Sequence, residues 1–168
     1  MKIRRAVVAG LVGGVVATAV IALAGWSSRS DGDLSALFGA VISGRDDWLG
    51  WIAGSAVQLV VAIVAALMYA AVFEWVTRRS GALVGLAIAA AHVVVAGLMV
   101  GFVPAKAVIA DGLTPPGAFL EYRGGLAIVA FICAHLAFGA IVGALYGKPR
   151  HTVAAAERVW LDVSKGAS

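Results

Sequence analysis

Charge is scarce in this chain: of 168 residues only 13% are Asp, Glu, Lys or Arg, against 62% hydrophobic. A water-soluble domain of that length needs a polar outer surface, and so few charges cannot supply one. Disorder is excluded by the same balance, because a disordered chain combines low hydrophobicity with high net charge. The single cysteine, Cys133, excludes an intramolecular disulfide, and its place inside an apolar run reads as a packing residue. No Lys/Arg run exceeds two and the basic residues sit at the edges of apolar segments, so the net charge of +4 does not describe a nucleic-acid binder. The sequence also has no Ser/His/Asp or Cys/His arrangement, no phosphate-cradling glycine loop and no metalloprotease helix.

What is present is apolar sequence in long blocks, with a mean hydropathy of +0.98. Crossing a hydrocarbon core roughly 30 Å thick takes about 20 apolar residues in a helix. Four stretches qualify, at about 6–25, 49–73, 81–105 and 124–147. They predict an all-α fold, an integral membrane four-helix bundle over residues 1–147 followed by a cytoplasmic tail, 148–168. Lys2, Arg4, Arg5, Arg78, Arg79, Lys148, Arg150, Arg158 and Lys165 fall on one side, against Arg29, Arg45, Lys106 and Arg123 on the other. By the positive-inside rule both termini face the cytoplasm, and the loops 26–48 and 106–123 face outward. Trp26, Trp48 and Trp51 then mark the outer interface, and Tyr69, Trp75 and Tyr146 the inner one. The first span also has the outline of a secretory signal, with Ala22-Leu23-Ala24 before Gly25. Its apolar run is longer than the usual signal core of about 7 to 15 residues, so retention as a span is expected. Arginine outnumbers lysine in an Ala, Val and Gly background, which suits a bacterium with GC-rich codons, and hence a bacterial inner (plasma) membrane.

The second and fourth spans align without gaps, Gln58 to Tyr69 against His135 to Tyr146. Each outer loop carries a short apolar piece, Leu34 to Ile42 after Asp31-Gly-Asp33 and Gly117 to Tyr122 after Thr114-Pro115-Pro116. Both follow a helix-start signal and predict short helices on the outer interface. Two repeated helical hairpins, each with an interfacial helix between its spans, would result. In the tail, Val153, Trp160 and Val163 share one face of a weakly amphipathic helix over 152–164.

The short basic N-terminus, the loop Leu34-Ser-Ala-Leu-Phe-Gly-Ala and the last span His135-Leu-Ala-Phe-Gly139-Ala-Ile-Val-Gly143-Ala-Leu-Tyr146 carry a resemblance. The chain resembles a group of small, functionally uncharacterised bacterial four-span membrane proteins whose second and fourth helices both carry His, a small-xxx-small motif and Tyr. Gln58 stands where that pattern has the second-helix histidine. The resemblance implies a fold and lends no activity.

Two features could carry function. His92 lies beside the centre of the third span and His135 at the centre of the fourth, so they share a depth. An imidazole in hydrocarbon still has a donor and an acceptor to satisfy, so both should face the bundle interior. As a cofactor-binding pair they could ligate haem b axially, with Ala89, Ala96 and Gly139 as small neighbours that admit the macrocycle. No metal site is expected, because neither span holds an Asp or Glu to complete a tetrahedron around the histidines. Gln58, about 4.5 Å from the centre of its span, would join them on a substrate or proton path. Otherwise each histidine is a packing residue that bonds a neighbouring helix, and Gln58 is interhelical glue. The second feature is small residues at every fourth position: Gly10 and Gly14 in the first span, Gly85, Gly97 and Gly101 in the third, Gly139 and Gly143 in the fourth. These let backbones approach closely, and faces left over would receive a lipid, another membrane protein or a second copy in a homo-oligomer.

The acidic loop residues Asp31, Asp33, Asp46 and Asp47 read as solvated charges and helix caps, and Glu74 and Arg78 as an i,i+4 pair at the membrane edge. The function expected from these residues is that of a non-enzymatic structural or accessory subunit packing through small-residue faces. The alternatives are a b-type haem electron carrier using His92 and His135, and a small transporter or proton conductor using Gln58, His92 and His135.

Overall fold

The computed structural model describes residues 1–28, 34–45, 47–102 and 115–150. The described residues form helices and connecting turns, without a strand: α1 Ile3–Ser28, α2 Leu34–Ser43, α3 Trp48–Trp75, α4 Ala82–Val100, a 3-10 segment Ala118–Arg123 and α5 Gly125–Tyr146. The helices α1, α3, α4 and α5 are long and apolar enough to span a membrane, and the protein is an all-α, multi-pass membrane protein. At 1.5 Å per residue the shortest of them, α4, is about 28 Å long, close to the hydrocarbon thickness.

Three of the spans run slightly differently from the apolar blocks that announce them. The first two extend to Ser28 and to Trp75, and α4 stops at Val100, where Gly101 closes a tighter turn by donating to the Leu98 carbonyl (3.1 Å). Residues 103–105 of the expected third span lie outside the described residues. Glycines with positive φ bound α5, Gly124 at 93° and Gly147 at 72°, a backbone region that other residues enter only at a cost.

Close backbone approach organises the bundle into two antiparallel hairpins. In the first, Gly10 and Gly14 of α1 lie on Ala62 and Ala66 of α3: a Cβ at Gly14 would stand 2.7 Å from that of Ala62. In the second, Gly81 and Gly85 at the start of α4 lie on Gly139 and Gly143 of α5, where the Gly81 N–H donates to the Gly143 carbonyl across the interface (3.0 Å). Packing of α1 against α5 joins the hairpins. Although consecutive in sequence, α3 and α4 make no comparable backbone approach, and side chains fill the space between them. Residues 1–5, 74–82 and 146–150 lie at one end of the bundle, called the terminal end below; Ser28, Trp48, Val100 and Gly125 mark the loop end.

The connectors break the repeat. Rather than lying on the interface, α2 folds back against the first two turns of α3, so close that a Cβ at Gly54 would stand 1.9 Å from the Ser35 carbonyl oxygen. Its Leu34 and Leu37 are buried with Ile21, Val93 and Val100 in an apolar core that fills the loop half of the bundle. An apolar ten-residue helix with a glycine at its centre gains more by this burial than by floating at the surface. In the other connector, Pro115 and Pro116 precede the short helix instead of opening it, and Phe119 and Leu120 adopt positive φ. The Phe119 ring lies against Gly97, which only a glycine permits. The start signals at Asp31, Asp33 and Thr114, and the amphipathic tail, lie outside the described residues.

Asp47 caps α3. Its carboxylate accepts the Gly50 N–H (3.1 Å) and holds the Arg45 guanidinium, and these contacts, Arg45 foremost, lower its pKa from 3.8 to about 2. A depressed carboxyl contributes stability above its unfolded pKa and loses it as pH falls through the folded one. Asp47→Ala should therefore melt below the wild type in detergent at neutral pH, and the gap should close between about pH 4 and pH 2. Melting curves of both proteins at the two pH values check this.

Candidate functional site

The middle of the bundle holds the polar cluster. His92 of α4 and His135 of α5 face one another with ring centroids 5.2 Å apart and planes at 77°. They meet because the α4–α5 glycine contact brings the two backbones together one turn away, at Ala89 and Gly139. Tyr69 of α3 reaches across to them, with its hydroxyl 3.2 Å from His92 Nδ1. His135 Nδ1 is 2.8 Å from the Phe131 carbonyl, which can only accept, so Nδ1 carries the proton and Nε2 keeps its lone pair. The Phe131 ring lies 4.2 Å from the His135 ring, and Phe138 meets Tyr69 and His92 edge-on.

Tyr69 places beside His92 a hydroxyl that can donate or accept. Among the described residues no three of His, Cys, Asp and Glu gather as metal ligands. A haem between His92 and His135 would need both Nε2 atoms aimed at one iron from opposite faces of a wide macrocycle. The small residues expected to make that room instead bring the helices into contact: a Cβ at Gly139 would be 2.4 Å from that of Ala89. The pair does not fit haem.

Gln58 is not part of the cluster. Its Oε1 accepts the Thr18 hydroxyl (2.8 Å) on the α1–α3 contact, where it ties two helices together. The expected packing glycines are all occupied within the chain: Gly10 and Gly14 by α3, Gly85, Gly139 and Gly143 by the α4–α5 contact, Gly97 by Phe119 and Gly101 by Ala118. Six of the seven are buried, and Gly101 is exposed. Cys133 is exposed on the outside of α5 and packs no core.

Sequence reasoning missed three members of the interior. Tyr69 and Tyr146, assigned to the inner aromatic belt, are buried (3% and 0% exposed), whereas Trp75 beside them is exposed. Glu74, assigned to a surface pair with Arg78, is 1% exposed and turned inward, where it accepts the Tyr146 hydroxyl (2.6 Å). The available signal was spacing: Tyr69 and Phe73 lie one turn apart beside the small face Ala62, Ala66, Ala70, so they share the side of α3 that enters the bundle.

Compared with protein-family models, curated proteins and solved structures, the chain matches none.

Proposed function

We propose that the protein is a non-enzymatic, multi-pass inner-membrane protein whose Tyr69–His92–His135 cluster reversibly binds a proton at mid-depth. The observation that carries this reading is two imidazoles in ring contact inside an apolar bundle, one with its Nε2 lone pair available and the other against a tyrosine hydroxyl. Glycine contacts already hold α4 and α5 together, so helix association does not need these polar groups. Ionisable side chains at this depth are costly and are kept where protons or solutes are handled. An apolar plug of α2 and its neighbours over the loop half favours a site reached from one end over a continuous conductor. Six of the seven glycines on which an accessory-subunit reading stands are buried in contacts within the chain.

Orientation follows from charge. Lys2, Arg4, Arg5, Arg78, Arg79, Lys148 and Arg150 belong to the terminal end, which the positive-inside rule assigns to the cytoplasm of a bacterial cell. Single cysteines introduced at Arg78 and Asp46 into a Cys133→Ser background should be labelled by membrane-impermeant reagent only from the cytoplasmic and outer sides, respectively. The reverse pattern would invert the topology.

The function itself is tested by titrating ¹⁵N-labelled imidazoles in nanodiscs. His92 and His135 should take up one proton between them, because a second charge at this separation is repelled. Two histidines that stay neutral at every pH at which the fold persists would dismiss the proposal.

A further inference from the structure

We infer that Glu74 is the group through which the histidine cluster exchanges protons with water at the terminal end; this rests on the proton-binding reading above. A carboxylate in the last turn of a membrane helix normally extends into water. Glu74 instead turns into the bundle and is the only buried carboxylate among the described residues. Its Oε1 accepts the Tyr146 hydroxyl at 2.6 Å and its Oε2 the Arg150 N–H at 2.9 Å. Tyr146 in turn accepts the Lys2 N–H (3.0 Å). Among the described residues the Met1 amino group lies 3.9 Å from this carboxylate, and Lys2, Arg5, Lys148 and Arg150 belong to the same end of the bundle. Arg78 and Arg79 lie in the turn after α3. Glu74 lies in the last turn of α3, at the terminal end of the bundle and beside these cations.

From Glu74 a column of rings leads inward. Tyr146 and Phe73 have centroids 5.4 Å apart, Phe73 meets Tyr69 edge-on at 6.2 Å, and the Tyr69 hydroxyl touches His92. Fully buried Phe73 is the apolar ring between the two tyrosines and so the barrier. In the transfer, hydronium protonates the Glu74 carboxylate and leaves as water. The carboxyl O–H then breaks, and its proton passes along water admitted beside Phe73 to the Tyr69 oxygen. Tyr69 gives its own hydroxyl proton to His92 Nδ1. Glu74 ends as carboxylate, Tyr69 as neutral phenol and His92 as imidazolium, with one proton moved from water to the cluster.

The experiment follows imidazole protonation by time-resolved infrared after a photoacid pH jump, with the full chain in nanodiscs. Glu74→Gln should slow uptake on the order of 100-fold, the share that a positioned acid–base group supplies, and Phe73→Ala should speed it. Should Glu74→Gln fail to fold, Tyr146→Phe keeps the ring and removes the hydroxyl bond, and should change both the uptake rate and the Glu74 carboxyl band. Uptake in the wild type with an unchanged rate in Glu74→Gln, or in Tyr146→Phe where that stands in, overturns the role of Glu74 and leaves the proton-binding reading intact. No uptake in the wild type overturns both.

Discussion

Gly85→Leu should separate α4 from α5. A Cβ at that position would stand 1.9 Å from the Gly139 carbonyl oxygen and 3.0 Å from the Gly143 Cα, and both obstacles are backbone. A flexible side chain could swing away; a helix backbone can yield only by moving the whole helix. Overpacking typically costs about 1–3 kcal/mol where side chains can adjust, and this site belongs at or above the top of that range. Gly143→Leu should act the same way, because its Cβ would fall 2.2 Å from the Gly81 carbonyl oxygen and break the backbone bond between the two residues. Gly125→Leu, at a position with open space around it, should change little. Thermal melts of the three variants in one detergent check the order, and a Gly143→Leu protein as stable as the wild type would refute the contact.

The second large effect is coupling within the cluster. His92→Ala and His135→Ala should be non-additive in stability by about 0.5–3 kcal/mol, the range for residues in contact. Tyr69→Phe should couple to His92→Ala through the lost hydroxyl bond. Gln58→Ala should be additive with all three, since its partner is Thr18 on another contact. Double-mutant cycles from chemical denaturation measure each term. Additivity at the histidine pair would reduce His92 and His135 to separate packing residues.

The spans and the histidine pair were legible in the sequence for a physical reason. Membrane helices announce themselves by length and lack of charge, and two polar residues at the centres of such helices must share a depth. Glycines at fourfold spacing identified contact faces but not their partners: Gly97 reads like Gly85, yet one receives the Phe119 ring and the other a helix backbone. Pairing of faces is a tertiary fact that periodicity does not carry. The same limit misplaced Tyr69, Tyr146 and Glu74, because a polar-tipped residue near a span end looks alike whether it points outward to water or inward to a partner. For α2, composition predicted a helix correctly but could not distinguish lying on the bilayer from folding back along α3.

The most direct test of the central claim is the sidedness of the histidine site. In sealed vesicles with the protein inserted in one orientation, the two compartments are clamped at different pH and the protonation of His92 and His135 is read by imidazole ¹⁵N or infrared signals. With the apolar α2 plug closing the loop half, the signals should follow the pH of the compartment at the terminal end and ignore the other. Signals that follow the loop-end compartment, or both together, would contradict a site closed on one side.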